Sequence, residues 1–187
     1  MRLLQTFVLT AAAAFGSAAI AQEGPMTGST QATFRGAAPA GCRMSAPTAP
    51  TLQNAQVGAL APGSAEIAID QMVGNDAVPL GATVVLVVPA VCNQAHTLTL
   101  SSLNRGMLSD SGQPAGGPFR SLLAYSVTVD WAGRQQVLET SDQDLTLNRG
   151  DAAVGFVTVT IRIPDGGAPL TAGAYTDEIV LELGATG

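Results

Sequence analysis

Apolar and polar side chains alternate along several segments with the two-residue period of a β-strand. The clearest of these segments are residues 122–131, 156–163 and 175–183. Residues 82–88 form a nearly continuous apolar run that ends at Pro89, as is typical of a strand covered on both faces, and alternation resumes over residues 96–100. No segment after residue 21 keeps an apolar period of 3.6 residues. The pattern predicts an all-β protein, most simply an antiparallel β-sandwich.

The composition supports short strands joined by tight turns. The chain is 47% hydrophobic, 12% charged and 4% aromatic, with 21 Gly and 11 Pro, so the core should be aliphatic. The formal net charge is −6, the sequence contains no lysine, and the arginines are scattered singly. Without a basic stripe to neutralise phosphates, nucleic-acid binding is excluded as a predicted function.

The first residues resemble a secretory signal peptide. Arg2 precedes an apolar stretch over residues 3–20, and Ala19-Ile20-Ala21 forms a small-residue cleavage site, which predicts removal of residues 1–21 by cleavage between Ala21 and Gln22. The alternative is a membrane anchor, but polar residues interrupt the stretch, and it is short for a span of roughly 20 apolar residues. We therefore predict an exported protein that is soluble outside the cytoplasm.

Removing 21 of the 187 residues leaves 166, enough for one domain with a short extension. The two cysteines, Cys42 and Cys92, are expected to form a disulfide in an oxidising compartment. Closing a loop of about fifty residues between them stabilises a fold by roughly 4 kcal/mol in the chain-entropy model. Residues 22–41 form an N-terminal extension before the first cysteine, and within it, over residues 26–40, small or apolar residues alternate with mostly polar ones as in a strand.

The sequence lacks the residues of common catalytic and cofactor sites. The only histidine, His96, begins a predicted strand and is expected to be a surface residue, so no base is available to activate a nucleophile. Asp142, Asp144 and Asp151 lack the glycine and closing glutamate of a calcium loop. We predict no catalytic residues, no metal ligands, no cofactor and no enzymatic activity.

Several motifs resemble one known family, the spore coat protein U domains. The likeness covers Cys42 to Leu183, and its matching segments are Ile161-Arg162-Ile163-Pro164, Ala172-Gly173-Ala174-Tyr175-Thr176-Asp177, Val91-Cys92-Asn93, Leu98-Thr99-Leu100 and Leu122-Leu123-Ala124-Tyr125-Ser126-Val127. The closing motif, with Pro164, Gly173, Tyr175 and Asp177, is the most distinctive of these. The resemblance assigns residues 42–187 to a spore coat U-like β-sandwich domain.

The resemblance implies a subunit of an archaic chaperone-usher pilus. In such pilins an immunoglobulin-like sandwich lacks its last strand, and the N-terminal extension of the next subunit fills the groove by strand addition. Thr30, Ala32 and Phe34 are then the expected groove-facing residues of the extension. The implied partners are homologous pilin subunits, a periplasmic chaperone and an outer-membrane usher. The implied location is a fimbrium at the cell surface, with a role in adhesion or biofilm formation.

Two alternatives stay open from the sequence. The extension could be a linker or a self-paired edge strand instead of a donor strand. The whole chain could also be a secreted monomeric envelope protein or a glycan-binding domain, although Trp131, Tyr125 and Tyr175 all fall within predicted strands and form no evident stacking platform.

Overall fold

A computed structural model describes residue 33, residues 35–111 and residues 117–186, and a compact unit spans Ala38–Gly187. The described residues contain strands and no helix, which confirms the predicted all-β class. No helix in this part of the chain could therefore cross a membrane. The strands are β1 (Cys42–Met44), β2 (Thr48–Gln53), β3 (Ala55–Ala61), β4 (Ser64–Ile69), β5 (Ala82–Cys92), β6 (His96–Ser102), β7 (Met107–Ser109), β8 (Leu122–Leu123), β9 (Ser126–Trp131), β10 (Arg134–Glu139), β11 (Leu145–Arg149), β12 (Ala153–Ile163), β13 (Tyr175–Thr176) and β14 (Ile179–Ala185).

Two antiparallel sheets enclose the core. The first sheet has the order β1-β5-β12-β9-β10, with β2 also beside β5, and the second has the order β11-β6-β14. Alternate side chains of each strand point inwards, as the two-residue period requires. The buried core residues include Val84, Leu98, Leu100, Val127, Val129, Trp131, Leu147, Val157 and Val159. The arrangement is that of a β-sandwich with a largely aliphatic interior.

The predicted strands are present, with different bounds. The predicted strand over residues 122–131 is divided into β8 and β9, and its odd-numbered residues from 123 to 131 are all buried, as predicted. β5 continues through Pro89 to Cys92, where the sequence predicted an end. Ser45 N–H donates to Pro89 C=O at 2.9 Å, so the missing Pro89 N–H faces the break between β1 and β2. The proline therefore removes no bond to β12.

The two faces of β5 are not equally covered. Its inward residues are mostly buried, whereas the outward residues, such as Val85 and Val87, are only half-buried and Val91 is exposed. β5 has neighbouring strands on both edges, β1 and β2 on one and β12 on the other.

The prediction that His96 is a surface residue is wrong. Its side chain is fully buried at the first position of β6. His96 Nε2 lies 2.8 Å from Trp131 Nε1, and the two rings meet edge to face with centroids 5.8 Å apart. Because β6 and β9 belong to opposite sheets, this polar pair bridges the interior of the sandwich.

The disulfide between Cys42 and Cys92 is confirmed. The two residues are directly opposite in the register of β1 and β5. Next to this bond, the side chain of Asn93 holds the incoming chain: its Oδ1 accepts from Gly41 N–H at 2.8 Å and its Nδ2 donates to Pro39 C=O at 2.7 Å. The extension therefore joins the domain at a fixed point beside the disulfide.

The predicted residues of the signal peptide and of the donor strand are outside the described part of the chain. This applies to Ala21, Gln22, Thr30, Ala32 and Phe34. The described residues 35–40 are exposed and belong to no strand.

Candidate functional site

The open edge of β14 presents unpaired backbone groups. Among the described strands, β14 pairs with β6 alone. Leu103 N–H donates to Glu178 C=O at 2.9 Å, which fixes the phase of the hydrogen bonds between these two segments. In an antiparallel ladder, residues that bond to the neighbour alternate with residues whose backbone groups point away. Ile179, Leu181 and Leu183 therefore direct their N–H and C=O groups towards the open edge.

The same residues carry the apolar face of β14. The side chains of Ile179, Leu181 and Leu183 are half-buried and pack against the core, whereas Glu178 and Glu182 are exposed on the outer face. An additional strand at this edge would find backbone partners and an uncovered part of the core at the same positions. This combination distinguishes β14 from β10, one of the edge strands of the first sheet, whose outer residues are mostly polar.

A groove of about 330 Å³ extends beside β14. The beginning of β14 forms one wall, and the segment that follows β1 forms the other. The floor consists of apolar core side chains from β5, β6 and β12, and the hairpin of β3 and β4 closes one side. The lining residues are Met44, Ser45, Pro47, Gly63, Ser64, Ala65, Ile67, Leu86, Val88, Leu100, Val159, Ile161, Asp177, Glu178, Ile179 and Leu181.

Asp177 anchors the start of β14 at one end of this groove. Its Oδ2 accepts hydrogen bonds from Ser102 Oγ and Tyr125 Oη, each at 2.6 Å, and its Oδ1 accepts from Asn104 N–H at 2.9 Å. Ser102 Oγ also accepts from Gly106 N–H at 3.1 Å. Three donors thus satisfy a partly buried carboxylate, which ties β14 to the end of β6 and to the segment between β8 and β9.

Tyr125 stays protonated in this network. Burial of its side chain, together with the hydrogen bond to Asp177 and the negative charge of that carboxylate, raises the pKa of Tyr125 well above its ordinary value of about 10. The phenol therefore remains a donor to Asp177. His96 does not activate the Ser102 hydroxyl, because its two ring nitrogens form hydrogen bonds with Gln94 and Trp131 instead. The geometry indicates a structural network that positions β14.

The other residues of the predicted closing motif surround this anchor. Gly173 has φ +149°, and a Cβ there would lie 2.5 Å from Ser109 Oγ. The hydroxyl of Tyr175 donates to Thr171 C=O at 2.9 Å and closes the loop before β14. Pro164 is exposed just after β12 and has no contact with the groove. Three of the four motif residues therefore shape the approach to β14, and Pro164 does not.

Sequence reasoning missed two contributors to the site. Ser102 continues the inward phase of Leu98 and Leu100, so the alternation in β6 already placed it next to the core. The hairpin of β3 and β4 gave a weaker signal, because its strands are rich in alanine and mostly exposed.

A second depression, of about 540 Å³, lies between the segment before β8 and the loop after β12. Phe119 is 42% exposed there, with Arg120 and Asp165 also on its lining. Across residues 33, 35–111 and 117–186, no group of three or more His, Cys, Asp or Glu side chains is arranged to hold a metal ion.

Comparison with known proteins gives no match to this chain. No family model, no curated protein and no solved structure is similar to it.

Proposed function

We propose that this protein is a structural, non-enzymatic subunit of a bacterial surface fibre, in which the N-terminal extension of one copy fills the groove of the next. The observation that carries the proposal is the coincidence at β14 of outward backbone groups and an apolar groove. The proposed sandwich is immunoglobulin-like and lacks the strand that would follow β14. The resemblance to spore coat U domains supports the same assignment.

Strand addition suits this site because one added strand would both form hydrogen bonds with the backbone of β14 and cover the apolar groove. An incoming strand would bond to Ile179, Leu181 and Leu183, and its alternate side chains would enter the groove. A large apolar side chain such as that of Phe34 contributes about 1.5–3 kcal/mol when it is fully buried. In residues 26–40 the even positions are small or apolar, which matches a groove with an aliphatic floor.

The proposal also includes the partners that handle such a subunit before assembly. An uncovered apolar edge strand is a template for aggregation. A periplasmic chaperone that covers β14, and an outer-membrane usher that exchanges the chaperone for the next subunit, would remove this hazard. The proposed location is the cell surface, with adhesion or biofilm formation as the role of the fibre.

The first test compares the protein beginning at Gln22 with a variant that lacks residues 22–40. Gel filtration and native mass spectrometry should show heat-resistant polymers for the longer protein and monomers for the truncated variant. The truncated variant should bind a synthetic peptide of residues 26–40 in a one-to-one complex.

Two peptide variants provide matched controls. Phe34→Asp places a charge on the side predicted to enter the groove and should abolish binding, whereas Thr33→Asp places it on the opposite side and should preserve binding. A monomer that is unaffected by the truncation, or equal binding of both variants, would contradict the proposal.

The exposed ring of Phe119 supports a second candidate, a glycan-binding domain. Aromatic rings beside polar groups can stack on sugars, and Arg120 and Asp165 supply polar groups in the same depression. Glycan-array binding that is lost in Phe119→Ala, by a protein that stays monomeric, would favour this candidate over the fibre subunit.

A further inference from the structure

The β3–β4 hairpin is a separate two-stranded sheet. Its strands pair with each other and, within the described residues, form no ladder with either main sheet. The turn between them contains Pro62 and Gly63, with φ +85° at the glycine, as in a type II turn. The hairpin is therefore attached to the sandwich through its base and its side chains.

Side-chain hydrogen bonds of Asn54 hold the base of the hairpin. Asn54 has φ +53°, and its side chain donates to Gln71 C=O at 2.8 Å and to Gly81 C=O at 3.2 Å. Its Oδ1 accepts from Gln71 N–H at 3.0 Å. This clamp joins the two ends of the hairpin, and among the described residues no comparable side-chain hydrogen bond joins the tip to the sandwich.

One side of β4 covers the seam of the sandwich near β14. Ala65, Ile67 and Ile69 are half-buried, whereas Glu66 and Ala68, on the opposite side, are exposed. Ala65 and Ile67 line the groove, opposite the beginning of β14. Apolar side chains that would otherwise face solvent are thus covered by a segment that makes no backbone bonds to the edge it lies near.

We propose that the β3–β4 hairpin is an internal plug, which partly covers the groove in the free subunit and is displaced at its tip when a strand of another copy enters. This inference rests on the proposed function, because it concerns the regulation of the same groove. The hairpin provides side-chain contacts alone, whereas an incoming strand provides side-chain contacts and a backbone ladder. The exchange therefore favours the strand, and the plug limits unspecific pairing beforehand.

The test uses thiol labelling of the variant that lacks residues 22–40. Both natural cysteines are joined in the disulfide, so an introduced cysteine is the only free thiol. In Ala65→Cys the thiol faces the groove, and in the control Ala68→Cys it faces solvent on the same strand. Without peptide, Ala65→Cys should react with a maleimide several-fold more slowly than Ala68→Cys. Saturation with the peptide of residues 26–40 should raise the Ala65→Cys rate and leave the control unchanged.

A second variant measures the competition directly. Ile67→Ser weakens the contact of the hairpin with the groove, so the uncovered state becomes more populated. If the covered state is favoured nine to one, the apparent affinity for the peptide rises about tenfold, since it scales with the competent fraction. Ala68→Ser, on the exposed side, should bind as the unmodified protein does.

The outcomes separate the two proposals. Peptide binding with an unchanged or slower Ala65→Cys rate, or with no gain in affinity for Ile67→Ser, overturns the plug and leaves the fibre subunit intact. Failure of the peptide to bind the unmodified domain, Ile67→Ser and Ala68→Ser alike overturns the proposed function and the plug with it.

Discussion

The hydrogen-bond partners of His96 determine which of its ring nitrogens carries a proton. An indole N–H can only donate, so Nε2 of His96 accepts from Trp131. Nδ1, which lies 2.9 Å from Gln94 C=O, therefore carries the ring proton and donates to that carbonyl. A polar pair that is completely satisfied in this way specifies how β6 and β9 face each other.

The first prediction concerns this pair. His96→Leu leaves the Trp131 N–H buried without an acceptor and should lower the free energy of unfolding by about 1–3 kcal/mol. Trp131→Phe should also destabilise the protein. Urea unfolding should show that the double variant loses less than the sum of the single variants, because neither polar partner remains unsatisfied. Strictly additive losses would contradict the coupling.

The second prediction is a loss of stability at high pH caused by Tyr125. Its pKa is raised in the folded protein, so between the unfolded value of about 10 and the folded value the unfolded chain binds fewer protons. The contribution of Tyr125 to the free energy of unfolding is therefore complete below about pH 10 and decreases as the pH rises further. Because the sequence contains no lysine, few other side chains titrate in this range.

Tyr125→Phe is the comparison that isolates this effect. It should be less stable than the unmodified protein at pH 8, since the Asp177 carboxylate loses a donor, but its stability should fall less between pH 10 and 11.5. Chemical denaturation at each pH measures both quantities. Parallel curves for the two proteins would contradict the assignment.

Alternation predicted which side chains are buried but not which of them meet. His96, Leu98 and Leu100 are alternate residues of β6, so the two-residue period was sufficient to place His96 inwards. Its position at the start of the strand nevertheless suggested a surface residue. Its partner Trp131 is 35 residues away in the opposite sheet. Such a pairing depends on how the sheets face each other, and no local period contains that information.

Among the elements, β1 depends most on a single bond. It has three residues, and its disulfide to β5 is at one end. Replacing both cysteines with alanine should lower the free energy of unfolding by roughly 4 kcal/mol, as expected for a closed loop with a separation of 50 residues. Guanidinium unfolding measures this loss, and reduction of the unmodified protein should reproduce it. A change below about 1 kcal/mol would show that the denatured chain is already constrained.

A pair of glycines tests the loop that leads into β14. Gly173→Ala introduces a Cβ 2.5 Å from Ser109 Oγ at φ +149° and should lower the melting temperature by several degrees. Gly184→Ala, within β14, meets nothing within 4 Å and should change the stability little. Thermal unfolding of both variants measures the difference, and equal melting temperatures would refute this account of Gly173.

Elements with one face in solvent and few β-branched residues were the hardest to predict. β10, with the sequence RQQVLE, is an edge strand whose outer residues are mostly polar. β3 contains three alanines and a glycine, and its register shifts near that glycine. The β14 edge was easier to foresee, because Ile179, Leu181 and Leu183 alternate with charged or exposed residues.

For the whole assembled molecule, the outer face of β14 predicts a charge preference. Glu178 and Glu182 are exposed there, and Arg35 is on the outward side of the proposed donor strand. An Arg35→Glu peptide should bind the truncated domain about two- to fivefold more weakly, the range of an exposed ion pair. Glu178→Arg or Glu182→Arg should restore the affinity. Isothermal titration measures both effects, and a loss that neither variant restores would contradict the pairing.

For the molecule as a whole, the sequence predicted the fold class but not how the strands pack around the groove. The alternating segments were sufficient for an all-β fold, and Cys42 and Cys92 were sufficient for the disulfide. The groove could not be predicted in detail, because its floor collects residues from β5, β6 and β12 and its side wall is the β3–β4 hairpin. Those contacts form only when the two sheets pack against each other and the hairpin packs beside them.

The position of the disulfide has a mechanical consequence for a fibre of the proposed kind. Tension along the fibre would reach each domain through its extension, which joins the sandwich at Gly41 beside Asn93. Peeling of the first strand would then stop at Cys42, because that residue is covalently bound to Cys92 at the end of β5. The load would pass directly into β5, an interior strand of the first sheet that is paired on both edges.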